Sequence, residues 1–197
     1  MSLPFYLTFI RVVMSPLFMV LYLFGADWGI SPVGVCIILL AILAICELSD
    51  FFDGFLARRH NKVTELGKVL DPMADSLFRL SVFLSFTQGV VQLPLLIVLI
   101  FLLRESIITS LRTLCALQGV ALAARLSGKV KAVVQATVAF FILILMTVYS
   151  QGCLAEESFQ LMSFYAAGIA ALYTLVSGCE YISANWSLIK KAFSGSP

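Results

Sequence analysis

Residues 47–75 read ELSDFFDGFLARRHNKVTELGKVLDPMAD. The stretch holds Glu47, Asp50, Asp53, Arg58, Arg59, Lys62, Glu65, Lys68, Asp71 and Asp75, which are ten of the twenty-four charged residues in the chain. Long uncharged runs occupy much of the rest. Of 197 residues, 61% are hydrophobic and 12% are charged, and the mean hydropathy is +1.03. A soluble domain typically carries about 25% charged residues. A water-soluble globule of this size could not hide so much apolar surface, and disorder is excluded for the same reason. The expected fold is an all-α integral membrane protein with a single domain over residues 1–197. A net charge of +2 is too small to suggest nucleic acid as a partner. Membrane lipids are the expected surroundings.

Moving outward from the charged stretch, the apolar runs predict six transmembrane helices, roughly 4–25, 31–59, 69–89, 94–119, 128–150 and 158–188. Gly25, Ser31-Pro32, Gln92-Leu93-Pro94, Gly119 and Gln151-Gly152 punctuate them. The uncharged run from Leu80 to Leu103 could form one span. Gln88-Gly89 and Gln92 through Pro94 read instead as a turn that divides it. With both termini inside, Arg58, Arg59, Lys62 and Lys68 share one inner connection or its flanks. Arg125, Lys129 and Lys131 fall at the next, and Lys190 and Lys191 follow the last span. The outer connections hold Asp27, Glu156 and Glu157 with no Lys or Arg, which is the positive-inside pattern. The N-terminus lacks a basic n-region, and Arg11 interrupts its apolar run, so no cleavable signal is expected. The five cysteines are scattered without metal-ligand spacing, and small core residues are the expected role.

Ionisable groups at membrane depth are costly and point to function. Asp50 and Asp53 are three apart near the inner end of the second span, and Asp71 and Asp75 are four apart near the start of the third. Each spacing puts its pair on one helix face. A short inner loop makes the two helices neighbours, so the pairs can face each other across one site. Four carboxylates so close call for positive charge among them. Hard oxygen donors suit Mg²⁺ or Mn²⁺, and two such ions suit phosphoryl-transfer chemistry. Gly54, Ala57 and Gly67 give a bulky ligand room against the backbone, or alternatively provide close helix packing. Arg58 can offer its planar fork to a phosphate.

The segment is Asp50-x2-Asp53-Gly54-x2-Ala57-Arg58-x8-Gly67-x3-Asp71-x3-Asp75. Its eight fixed positions over twenty-six residues resemble the full signature of the CDP-alcohol phosphotransferase family. The resemblance implies integral membrane enzymes, usually of six spans and often homodimeric. They transfer a substituted phosphoryl group from a CDP-linked donor to an alcohol and release CMP, with Mg²⁺ or Mn²⁺. It implies a cytoplasm-facing site in a bacterial inner membrane. It also implies metal binding by Asp50, Asp53, Asp71 and Asp75, and donor contacts from Asp50, Gly54, Ala57, Arg58 and Gly67. Asp75 is implied as the general base.

A basic set lies outside the signature. Arg104 and Arg112 are eight apart, hence on one face of the fourth span, with Glu105 placed to orient or neutralise an arginine. Lys129 and Lys131 open the fifth span after Ser127-Gly128. Together these cations suit a dianionic phosphate. Membrane anchoring is the plainer role for the lysines, as is an ion pair with Glu105 for Arg104. The stretches Arg104-Glu105-Ser106-Ile107-Ile108-Thr109-Ser110-Leu111-Arg112, Gly128-Lys129-Val130-Lys131 and Leu7-Thr8-Phe9-Ile10-Arg11 resemble the phosphatidylglycerophosphate synthase branch of that family. That branch implies CDP-diacylglycerol as donor and sn-glycerol 3-phosphate as acceptor, with Arg104, Arg112, Lys129 and Lys131 as the acceptor-phosphate pocket. The chain departs from the branch at Ser76, where a lysine is usual, and Arg79 lies one turn beyond it. Inositol 1-phosphate is the nearest competing acceptor. A divalent-cation transporter is the rival from another class, although acids clustered at the inner side leave its outer pathway without a site. A catalytically dead relative is the third reading.

Overall fold

The computed structural model describes residues 3–60, 65–119, 122 and 125–194, with side chains for 9–49, 73–119, 122 and 125–191. All regular structure among them is helical: α1 Leu3–Phe24, α2 Pro32–His60, α3 Glu65–Ser85, α4 Leu95–Leu117, α5 Leu126–Ser150, α6 Glu156–Ala184 and α7 Trp186–Ser194. Among the described residues, three windows are long and apolar enough to cross a membrane: Pro32–Ser49 in α2, and α5 and α6 over their full lengths. The other long helices carry charge inside their apolar runs. Arg11 lies on α1, Asp75 and Arg79 on α3, and Arg104, Glu105 and Arg112 on α4.

The helices close into a ring. α1 packs on α2 and α3, α3 on α4, α4 on α6, α6 on α5, and α5 back on α2, while α3 also touches α5. The core between them is aromatic and aliphatic. Phe18 meets Phe78 edge-on at 6.1 Å, Phe83 meets Phe101 at 4.8 Å, and Tyr149 stacks on Phe159 at 5.2 Å. Leu39, Leu43, Ile142 and Leu143 are fully buried beside them. Apolar side chains also cover the outside: Leu95, Leu96, Ile169 and Leu172 are each more than 60% exposed. Meanwhile Arg11, Arg104, Lys131, Gln135 and Thr174 are buried. An apolar exterior around a partly polar interior suits a hydrocarbon solvent.

The divided run from Leu80 to Leu103 is two helices, with the turn between Ser85 and Leu95. Gly89 sits in it at φ +65°, a left-handed conformation that favours glycine. A β-carbon there would lie 3.2 Å from the Tyr22 hydroxyl, which donates to the Gln88 carbonyl at 2.9 Å. This turn is thereby pinned to α1. The helix in the sixth expected span stops earlier than Leu188. The Asn185 side chain donates back to the Tyr181 carbonyl at 2.8 Å, and Asn185 takes φ −104° and ψ 8°. Such a local bond competes with helix continuation, and α7 starts anew at Trp186.

Candidate active site

Alternating helix directions bring six charged segments to one end of the ring. They are the first half of α1, the second half of α2, the first half of α3, the second half of α4, the start of α5 and the last turns of α6. Asp75 is the hub. Arg11, buried to 2% exposure on α1, donates from Nη1 to Asp75 Oδ1 at 2.6 Å. Arg79, one turn along α3, places Nη2 at 3.8 Å from Asp75 Oδ2 and Nη1 at 3.9 Å from Glu47 Oε2 on α2. Cys46 and Glu47 therefore line one small hollow with Arg11, Asp75 and Arg79.

Beside this hub opens a cavity of about 220 Å³. Its lining includes Asp75, Ser76, Arg79, Arg104, Glu105, Arg112, Arg125, Lys129 and Lys131. Glu105 organises its floor. Its Oε1 accepts from Ser76 Oγ at 2.8 Å, and its Oε2 accepts from Lys131 Nζ at 2.5 Å and Arg104 Nη1 at 3.0 Å. Arg112 is held differently, with Nε donating to the Tyr181 hydroxyl at 3.1 Å and the guanidinium 5.2 Å from that ring's centroid. Arg125 Nη2 lies 3.4 Å from Glu180 Oε1 at the more exposed rim. Burial grades the cations. Arg104 and Lys131 are nearly sealed, while Lys129 and Arg125 are exposed or close to it.

All four cations expected to hold an acceptor phosphate, Arg104, Arg112, Lys129 and Lys131, thus line one cavity with Asp75. Lys131 is buried and bonded to Glu105 rather than exposed like Lys129. Arg104 does form its ion pair with Glu105 while still lining the cavity. The side chains of Asp50, Asp53, Gly54, Ala57, Arg58, Gly67 and Asp71 lie outside the described residues. Sequence reasoning overlooked Arg11 as a partner of Asp75, and Tyr181 and Glu180 as supports for arginines. The one available signal was the cost of an arginine inside the first apolar run.

Among the described residues, no three His, Cys, Asp or Glu gather as a metal site. Asp75 is ion-paired with two guanidiniums, and the side chains of the other three signature aspartates lie outside the described residues. Hard carboxylate oxygens of the signature pairs are the donor type that Mg²⁺ and Mn²⁺ prefer.

Comparison with known proteins identifies the family. The chain is 35% identical to the CDP-diacylglycerol–glycerol-3-phosphate 3-phosphatidyltransferase of Bacillus subtilis (strain 168), over 96% of this chain and 97% of that protein. The protein of that name from Yersinia pestis (strain Pestoides F) is 31% identical over 95% of this chain and 96% of its own length. A cardiolipin synthase (CMP-forming) of Streptomyces coelicolor is 36% identical over 55% of this chain and 48% of its own. The profile of the CDP-alcohol phosphatidyltransferase family matches residues 1–177. With its signature aspartates, and with full-length relatives at this identity, the chain belongs to the CDP-alcohol phosphatidyltransferase family.

Proposed function

We propose that this protein transfers the phosphatidyl group of CDP-diacylglycerol to sn-glycerol 3-phosphate, giving phosphatidylglycerophosphate and CMP. The observation that carries the reading is the cavity in which Asp75 meets Arg104, Arg112, Lys129 and Lys131. An acceptor with a phosphate at one end and a hydroxyl at the other matches cations on one side and a carboxylate base on the other. The names of the relatives favour this transfer over divalent-cation transport.

Arg112, Lys129 and the Glu105-held pair Arg104 and Lys131 bind the acceptor phosphate and fix its distance from Asp75. Asp75, kept in place by Arg11 and Arg79, takes the proton of the acceptor hydroxyl. The freed oxygen forms a bond to the β-phosphorus of the donor. The bond from that phosphorus to the bridging oxygen breaks, and its electron pair leaves with CMP. Asp50, Asp53, Asp71 and Asp75 would hold Mg²⁺ or Mn²⁺, in two ions. A divalent cation there supplies charge neutralisation for the pyrophosphate. Gly54, Ala57 and Gly67 leave room for the nucleotide, and Arg58 contacts a donor phosphate. Positioning and preorganised charge supply most of the rate.

In the membrane, α1 to α6 form six spans, with the Asp75 cavity and both termini at the cytoplasmic face of a bacterial inner membrane. Supporting this are the apolar exterior and the basic residues at the cavity end. The protein is proposed to work as a homodimer, on the strength of the family resemblance.

The test is CMP release by purified protein in detergent with CDP-diacylglycerol and Mg²⁺. Glycerol 3-phosphate, inositol 1-phosphate and serine are supplied in parallel, with a chelator control. Release with glycerol 3-phosphate alone, abolished by chelation, is the expected result. Release with inositol 1-phosphate instead would keep the chemistry and replace the acceptor. Folded protein that releases no CMP with any of them would overturn the reading.

A further inference from the structure

Glu105 is an anion at the floor of a cavity built for a dianion. If the phosphate were all that the cavity recognised, a carboxylate there would weaken the attraction. Its contacts suggest a second use. An ionised carboxylate offers about four acceptor positions. Ser76, Arg104 and Lys131 fill three, and two of those fall on Oε2. Among the described residues, one position remains on Oε1, the oxygen bonded to Ser76. Ser76 directly follows Asp75 on α3, so this oxygen is tethered next to the carboxylate that receives the acceptor's proton. The exposed cations Lys129 and Arg125 stand toward the rim, whereas Glu105 and its partners lie deeper. Glu105 thus stands between two of the proposed phosphate-binding cations, Arg104 and Lys131, and Ser76, the neighbour of Asp75, where the hydroxyl between the phosphate and the attacking hydroxyl of a phosphorylated triol would fall.

We infer that Glu105, held by Ser76, Arg104 and Lys131, accepts a hydrogen bond from the acceptor hydroxyl adjacent to the attacking one. Glu105 is then a specificity-determining residue that requires a vicinal diol. The inference rests on the proposed transfer to glycerol 3-phosphate and adds which part of that molecule is read. Sites built to bond a substrate hydroxyl discriminate strongly against the analogue that lacks it, because a polar group is left unpaired.

The experiment compares kcat/KM for sn-glycerol 3-phosphate with that for 3-hydroxypropyl phosphate, which keeps the phosphate and the attacking hydroxyl but lacks the middle one. Wild-type protein is expected to favour glycerol 3-phosphate by roughly 10- to 100-fold, the range of a hydrogen bond to a charged group. In Glu105→Gln, the amide oxygen turns to Arg104 and Lys131, and an N–H takes the place of the accepting oxygen. The preference is expected to drop about tenfold. Glu105→Asp keeps the carboxylate on a shorter stem and should retain an intermediate preference. If Glu105→Gln does not fold, the wild-type ratio and Glu105→Asp carry the test. Equal losses on both acceptors would show that Glu105 only holds Arg104 and Lys131, and would overturn the inference. So would a wild type that uses both acceptors equally well. Absence of transfer to either acceptor by folded wild type would overturn the transferase reading, and this inference with it.

Discussion

The two ends of the helical ring differ in kind. One end encloses about 220 Å³ lined by Asp75, Glu105, arginines and lysines. The other encloses about 590 Å³ lined by Tyr22, Val35, Cys36, Val90, Met146, Tyr149 and their neighbours. The larger space has no charged residue in its lining. Buried charge is the costlier feature, since each ion must regain from protein partners what it lost in water. At the charged end those partners are present: Arg11 for Asp75, and Arg104, Lys131 and Ser76 for Glu105. Cavity size and paired charge therefore point to different ends, and the proposed chemistry follows the charge. At the apolar end the interactions are structural, such as the Tyr22 bond to the α3–α4 turn.

Substitutions at the two ends should separate accordingly. The largest effect is expected from Asp75→Asn, which removes the proposed base and also the ion partner of buried Arg11. CMP release should fall by about 10²- to 10⁴-fold with donor binding intact, and near-normal turnover would dissolve the distinction between the ends. Next is Arg11→Gln. Breaking a buried ion pair from one side typically costs about 3–5 kcal/mol, so detergent thermal melts should shift strongly downward along with activity. Arg104→Gln should act on the acceptor alone, raising its KM by roughly 10- to 100-fold, the weight of a charge-assisted hydrogen bond. The donor KM should stay unchanged. The smallest effect belongs to the apolar end. Tyr22→Phe loses one hydrogen bond, about 1 kcal/mol of stability, and should leave both KM values where they were.

The comparison also separates what the sequence made legible from what it hid. Helical periods and turn residues placed α1 through α6, because long apolar runs and Gly or Pro punctuation are local signals. The Gln88 to Pro94 turn is such a case. Arg104 and Arg112 were readable as one face because their spacing is local to one helix. The Arg11–Asp75 pair was not, since its partners lie on different helices and only packing of α1 on α3 unites them. Tyr181 under Arg112 and Glu180 beside Arg125 were hidden for the same reason. The break at Asn185 was hidden by a side-chain bond that interrupts an otherwise apolar pattern. Ser76, read as a departure from a lysine, has its own partner in Glu105.

The central claim is that the charged end binds the acceptor phosphate beside Asp75. Its most direct test is calorimetric binding of sn-glycerol 3-phosphate to detergent-purified protein without donor. Wild type, an Arg112→Ala/Lys129→Ala double variant and Tyr22→Phe would be compared. The double variant is expected to bind at least about tenfold more weakly, while Tyr22→Phe matches wild type. Equal affinity in all three would contradict it.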